Sequence, residues 1–181
     1  MTITTRRASP DDAETLHELA ARTFPLAAPA DTPRADVEAF IAQNLSVESF
    51  GKYLADAERS LLIAEQEGTP VAYAMLVGGP IPDPEVAALV AAAAGPVTTV
   101  ELSKFYVAAE NHGRGAASTL MAATLAAARE SGASYCWLGV NDRNDRASRF
   151  YAKHGFERIG SKRFQVGDTW FVDPVHGRFL A

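Results

Sequence analysis

The chain has 181 residues, 48% hydrophobic and 22% charged, with 10 prolines, the composition of one ordinary globular domain over 1–181 rather than a disordered tail. A net charge of −5 argues against nucleic acid as a partner, and a single cysteine, Cys136, excludes an internal disulfide. The N-terminus lacks an apolar leader and no run approaches the roughly 18 apolar residues of a membrane span, so a cytoplasmic protein with no membrane partner is expected.

"TITTRRAS" alternates and is rich in β-branched residues, which predicts a first strand. Ser9, Pro10, Asp11 and Asp12 signal a helix start. Leu16, Leu19, Ala20 and Phe24 then recur at helical spacing, predicting a helix to about residue 22. "DTPRADVEAFIAQNL" repeats the cap-plus-proline arrangement and "SVESFGKYLADA" follows it, two short helices joined near Ser46 that form a lid or wall. "RSLLIAEQEGTPVAYAMLVGG" holds two apolar runs split by "EQEGT", a hairpin of antiparallel strands two and three.

Residues 80–96 hold four prolines around an alanine-rich core, predicting a loop with one short helix. "VTTVELSKFYV" reads as strand four. A helix over 115–131 follows, with Ala117, Leu120, Met121, Leu125 and Ala128 on one face and Gly132 closing it. "SYCWLGV" is strand five, and Asn144 caps a helix whose Ala147, Phe150, Tyr151 and His154 share a face, stopped at Gly155. "FERIGSKRFQV" and "TWFVDPVHGRFL" form a closing hairpin. Strands in one sheet with helices folded onto it make the class α/β (α+β).

Charge is unevenly divided along these elements. Residues 1–100 carry 6 basic and 14 acidic side chains, a balance of −8, and residues 101–181 carry 11 and 8, a balance of +3. This reads either as two solvated faces or as a C-terminal half that meets an anion and an N-terminal half that favours a cationic substrate. His17, His112, His154 and His176 show no metal-ligand spacing, so no metal is expected, and Cys136 sits in an apolar strand pattern as a small buried hydrophobe.

The stretch "NHGRGAASTL" sets Gly113 and Gly115 around Arg114 between strand four and a helix. A strand, a glycine turn and a helix start present free amides and the positive end of a helix dipole at one point, an anion site. The P-loop pattern GxxxxGK[ST] is absent. Gly113-x-Gly115-x-x-Ser118 approaches the dinucleotide pattern GxGxxG but lies late in the chain, with no acidic residue about twenty positions on. A purely structural turn is the remaining reading.

"HGRGAA" after "FYV" resembles the pyrophosphate motif [QR]xxGx[GA] of the GCN5-related N-acetyltransferase (GNAT) family, with His112 in place of the usual Gln or Arg, Gly115 at the fourth position and Ala117 at the last. "WLGVNDRNDRASRFYAKHGFERIG" matches the family's strand, then Asn-x-x-Ala-x-x-φ-Tyr, then Gly-Phe, through Asn144, Ala147, Phe150, Tyr151, Gly155 and Phe156. The N-terminal half and "GSKRFQVGD" are similar to bacterial PaiA-type polyamine acetyltransferases.

That resemblance implies a mixed, mostly antiparallel central sheet of about seven strands flanked by helices and splayed between strands four and five. It implies acetyl transfer from acetyl-CoA (coenzyme A) to an amine by direct attack in a ternary complex. Backbone groups of Phe105, Tyr106 and Val107 would meet the pantetheine arm, and residues His112, Gly113, Arg114, Gly115, Ala116, Ala117 and Ser118 the pyrophosphate. Asn144 would bond the pantetheine. Arg143, Arg146, Arg149 and Lys153 would assist phosphates or simply face solvent.

Tyr151 matches the family's general acid, the alternative being a core tyrosine, and Glu101 falls where some members carry a general base, the alternative being an exposed strand-end glutamate. Alternation puts Glu101, Ser103, Phe105 and Val107 on one face, but the family bends this strand with a bulge, so parity does not decide. The expected acceptor is a small cationic amine of the polyamine kind, turned over by a monomer or homodimer. Protein or peptide N-terminal acetylation and a non-catalytic acyl-CoA sensor are the competing functions.

Overall fold

In the computed structural model, which describes residues 2–181 apart from the side chain of Phe164, the alternating and apolar runs pair into one sheet. Among the described residues it has seven strands: β1 (Ile3–Arg7), β2 (Arg59–Gln66), β3 (Thr69–Val77), β4 (Thr99–Val107), β5 (Tyr135–Gly139), β6 (Glu157–Val166) and β7 (Thr169–Phe179). Their order is β1-β2-β3-β4-β5-β7-β6. Every neighbouring pair is antiparallel except β4 and β5. That parallel ladder ends at Glu101↔Trp137 while β4 continues to Val107, so the two strands part beyond it. The expected sheet and its opening between the fourth and fifth strands are both present.

Helices α1 (Ala13–Ala27), α2 (Arg34–Asn44) and α3 (Val47–Ala55) cover one face, where Leu16, Leu19, Phe24 and Phe50 pack on Ile63, Tyr73 and Met75. On the opposite face α5 (Ala116–Glu130) buries Leu120, Met121 and Leu125 against Leu62, Leu102 and Leu138, with Tyr151 of α6 (Asp145–Lys153) in the same cluster. Each such side chain contributes about 1.5–3 kcal/mol on burial. The proline-rich stretch forms α4 (Pro84–Ala94), capped by Asp83 Oδ1 on the amides of Glu85 and Val86, with Val86 and Val90 against Trp137 and Val175.

Two boundaries differ from the sequence reading. The polar run at Ser9 makes a 3-10 turn, Pro10–Asp12, before α1 begins; the Asp12 carboxylate accepts from the Ser9 amide at 2.7 Å and from both terminal nitrogens of Arg6 at 2.8 Å. At the other end α1 continues through Pro25 to Ala27 instead of stopping near residue 22. Phe24 stacks on Phe40 with ring centroids 4.5 Å apart, and this packing holds a last turn that the proline alone would discourage.

A bulge in β4 sets the face of every later residue. Met75 pairs with Lys104 and Leu76 with Leu102, which leaves Ser103 without a partner. Before it, Val100 and Leu102 face the α5 cluster; after it, Phe105 and Val107 do, while Tyr106 packs in the α1–α3 cluster. The bulge that the family resemblance implies is present, and it decides what alternation left open: Glu101, Lys104 and Tyr106 share the face opposite Phe105 and Val107.

Candidate active site

Gly113 and Gly115 adopt φ values of 75° and 87°, in the left-handed region that costs L residues strain. A Cβ on either would meet nothing within 4 Å. Gly115 is the residue before α5 and no side chain caps that helix, so its first-turn amides keep no side-chain partner and have the helix dipole behind them; Ala116 is buried, Ala117 half-buried and Ser118 exposed. The sequence thus builds an anion cradle that protein atoms leave open, and it fits a diphosphate.

His112 occupies the first motif position but does not reach into this cradle. A guanidinium only donates, so the 2.7 Å contact from Arg146 Nη1 makes His112 Nδ1 the acceptor, and Nε2–H donates to the Val107 carbonyl at 2.9 Å. The imidazole ties the end of β4 to α6 and holds Arg146 beside the turn. Arg143 is engaged elsewhere, with Nη1 2.7 Å from Asp31 Oδ1, and Arg114, Arg149 and Lys153 are exposed.

Two cavities meet where β4 leaves β5. One, of about 180 Å³, runs between Phe105–Val107, the His112–Gly113 turn and the α6 residues Ala147, Phe150 and Tyr151. The other, of about 200 Å³, has Phe24, Phe40 and Leu45 on one side and Glu101, Lys104, Tyr106, Lys162 and Asp173 on the other. Phe105, Tyr106, Asn144, Ala147 and Tyr151 line both. Asn144 uses Oδ1 to cap α6 at the Ala147 amide, 3.0 Å away, which leaves its NH₂ as a donor toward the cavities.

The Tyr151 ring is held edge-on by Phe105, Phe150 and Phe156, and burial raises its pKa well above that of a free phenol. It therefore keeps its proton at neutral pH. Burial also raises Glu101 above the ordinary carboxylate value, opposed by the positive charges of Lys162, Lys104 and Arg59. Lys104 is pushed down to about 8 by burial, and Asp173 up to about 6 by burial. Cys136 is fully buried, and burial pushes its thiol up to about 12, as suits a core residue.

Sequence reasoning named Glu101, Tyr151 and the turn, and the fold brings them around one pair of cavities. It missed Lys104, Lys162 and Asp173. A lysine inside the apolar strand "ELSKFYV" was a visible signal for the first; the other two come from the closing hairpin, and nothing in their spacing points to Glu101. Among the described residues no cluster of His, Cys, Asp and Glu is arranged to hold a metal, and no helix is long and apolar enough to cross a membrane.

Comparison with known proteins agrees with this geometry. The family model described as the acetyltransferase (GNAT) family matches residues 13–156. An uncharacterized N-acetyltransferase of Mycobacterium tuberculosis is 43% identical over 169 residues, covering 93% of this chain and 98% of the relative. The crystal structure of PaiA N-acetyltransferase from Thermoplasma acidophilum in complex with coenzyme A superposes with a TM-score of 0.76 at 20% identity, covering 99% of each chain. Ribosomal-protein-alanine N-acetyltransferase from Brucella melitensis does so with a TM-score of 0.68 at 23% identity, covering 97% of this chain and 99% of that one. At these identities the two structures share the fold.

Proposed function

The chain belongs to the acetyltransferase (GNAT) family and uses acetyl-CoA, and on that premise we propose that it acetylates the primary amine of a small molecule by direct attack in a ternary complex. The observation that carries this reading is the meeting of the two cavities at Tyr151, with the open glycine turn at the end of one and Glu101 in the wall of the other.

In this reading the amides of Gly113, Gly115, Ala117 and Ser118 hold the diphosphate, Arg146 adds a charge beside it, and the edge of β4 at Phe105–Val107 and the Asn144 NH₂ hold the pantetheine arm. Acetyl-CoA supplies the acetyl thioester. Glu101, directly or through a water, takes the proton that the acceptor amine must lose before it attacks. A C–N bond forms, the C–S bond breaks, and the Tyr151 hydroxyl donates its proton to the departing sulfur. Glu101 passes its proton to solvent, and the second proton, which the nitrogen sheds as the tetrahedral species collapses, restores Tyr151 through water, so the net change is ammonium plus thioester to amide, thiol and one released proton. An amide of β4 polarises the thioester carbonyl.

The acceptor enters as an ammonium, and Glu101 and Asp173 supply carboxylates to receive it; the acidic N-terminal half and the likeness to PaiA-type enzymes put polyamines among the first acceptors to assay. The size of the cavity favours a small acceptor over a folded protein's N-terminus. A cytoplasmic location, where acetyl-CoA is available, goes with this reading, as a monomer or a homodimer. The test is release of free coenzyme A thiol across a panel of small amines and of peptides. Thiol released only with peptides would move the activity to N-terminal acetylation, and thiol from no acceptor at all, with acetyl-CoA still bound, would leave a sensor.

A further inference from the structure

The charge that an acceptor meets differs from the charge of the half-chain around it. Six of the 14 acidic side chains of residues 1–100 are engaged in ion pairs outside the acceptor cavity: Asp12 and Glu65 with Arg6, Glu38 with Arg34, Glu48 with Lys52, Asp56 with Arg59, Asp31 with Arg143. None of these carboxylates lines that cavity. Its own charged side chains are Glu101, Lys104, Lys162 and Asp173, two of each sign.

These four are not paired off among themselves. Among the described residues no two of them form an ion pair, although Lys162 and Asp173 are cross-strand partners in the β6–β7 register. Lys104 Nζ stands 5.6 Å from the centroid of the Tyr53 ring, and Lys162 Nζ 5.5 Å from that of Trp137. Lys162 reaches the cavity by lying against the backbone of Gly139, where any Cβ would collide with its Cε. Asp173 is 5% exposed; its carboxylate accepts a hydrogen bond from the Asp142 amide, and its Oδ1 is buried without a hydrogen-bond partner. Buried charges without partners are costly, and an arrangement of this kind is stable once a ligand supplies the missing counter-charges.

We propose that the acceptor is an amino-carboxylate: its carboxylate lies against the ammonium groups of Lys104 and Lys162, and the amine to be acetylated faces Glu101. This rests on the transferase reading above and narrows its acceptor. A polyamine brings further positive charge toward two lysines that already repel one another. An acceptor with only anionic groups has no nucleophile. A small amino acid or ω-amino acid satisfies both signs, and a cavity of about 200 Å³ suits it, below the roughly 300–1,000 Å³ of sites for drug-sized ligands. Binding a carboxylate also reverses the pressure that pushes Lys104 down to about 8.

The experiment is thiol release by the full chain with saturating acetyl-CoA and three acceptor sets: amino and ω-amino acids, the carboxamides of the same compounds, and linear polyamines. At least one amino-carboxylate is expected to exceed its own carboxamide and every polyamine at least tenfold in kcat/KM. Lys104→Met and Lys162→Met are expected to raise its KM at least tenfold, to close the gap to the carboxamide, and to leave acetyl-CoA affinity unchanged. Carboxamides or polyamines turned over as well as amino-carboxylates by the wild type overturn the inference and leave the transferase reading standing. That comparison needs no variant to fold. Thiol from no set, with acetyl-CoA still raising Tm, overturns both.

Discussion

If the turn before α5 cradles a diphosphate, two glycines at opposite ends of that helix must respond differently to the same substitution. Gly115 and Gly132 have φ values of 87° and 86°, and a Cβ at either meets nothing within 4 Å. Alanine at either position forces the left-handed region at about 1–2 kcal/mol, against which the stiffer unfolded chain returns roughly 0.4–1 kcal/mol. Each variant therefore loses about 1 kcal/mol, or about 2–4 °C in Tm at this chain length. Only Gly115→Ala also places a methyl among the amides that face the ligand, and a tenfold weaker coenzyme A affinity, about 1.4 kcal/mol, is the least that should follow. Thermal melts at a coenzyme A concentration about a hundredfold above the wild-type Kd read this directly. Coenzyme A then stabilises the wild type and Gly132→Ala by about 2.7 kcal/mol, and Gly115→Ala by about half of that. Equal ligand-induced rises in the two variants would refute the cradle.

Tyr151→Phe keeps the ring packing against Phe105, Phe150 and Phe156 and removes only the hydroxyl; kcat should fall about a hundredfold or more with coenzyme A affinity unchanged, and wild-type turnover would end the acid assignment. Because burial raises Glu101, kcat/KM should rise with pH through a value above the ordinary carboxylate's, and Glu101→Gln should flatten that limb; an unchanged profile in the variant removes Glu101 as the base. His112→Gln offers the same pair of bonds, an NH₂ to Val107 and an oxygen to Arg146, so it should keep coenzyme A affinity, while His112→Ala should weaken it several-fold; calorimetry showing equal affinities would deny the tie its role. Asp12 is held at about 2 by the side-chain hydrogen bonds of Arg6, below its unfolded value of about 3.9. Its folded-state pKa is depressed, so the stability it adds is whole above about pH 4 and is lost as pH falls toward 2. Asp12→Asn should thus cost about 1–2 kcal/mol at pH 7, allowing for the 41% exposure of Arg6, and the gap to wild type should close by pH 2; melts with equal gaps at both pH values would count against it.

Residues whose neighbours lie close in sequence were readable, and those whose neighbours come from the fold were not. The strand, glycine turn and helix over 97–131 declare themselves by a switch from period 2 to period 3.6 around two glycines, and Asn144 to Tyr151 by a cap and an apolar face. The acidic surplus of the N-terminal half was equally visible, but a charge count has no coordinates, and those carboxylates that pair with arginines and lysines lie outside the acceptor cavity. Lys162 enters the site because Gly139 lets it cross, and Asp173 because β7 lies between β5 and β6; both are facts of sheet order.

The bulge in β4 is different, because a physical argument reaches it from sequence alone. In "VELSKFYV" unbroken alternation places Lys104 on the face of Val100 and Leu102, which the strand-and-helix pattern already commits to the core under the next helix. An ammonium with no partner there costs more than a strand of this length recovers, whereas one extra residue between Leu102 and Lys104 turns the lysine to the opposite face and keeps Phe105 and Val107 on the core side. The unpaired Ser103 is that residue. The same slip carries Lys104 and Tyr106 to the side of Glu101, so the feature that keeps the lysine out of the cluster under α5 is also the one that assembles the acceptor cavity. A variant with Ser103 deleted should accordingly lose stability and acceptor turnover together, and a folded deletion variant with normal acceptor KM would separate the two.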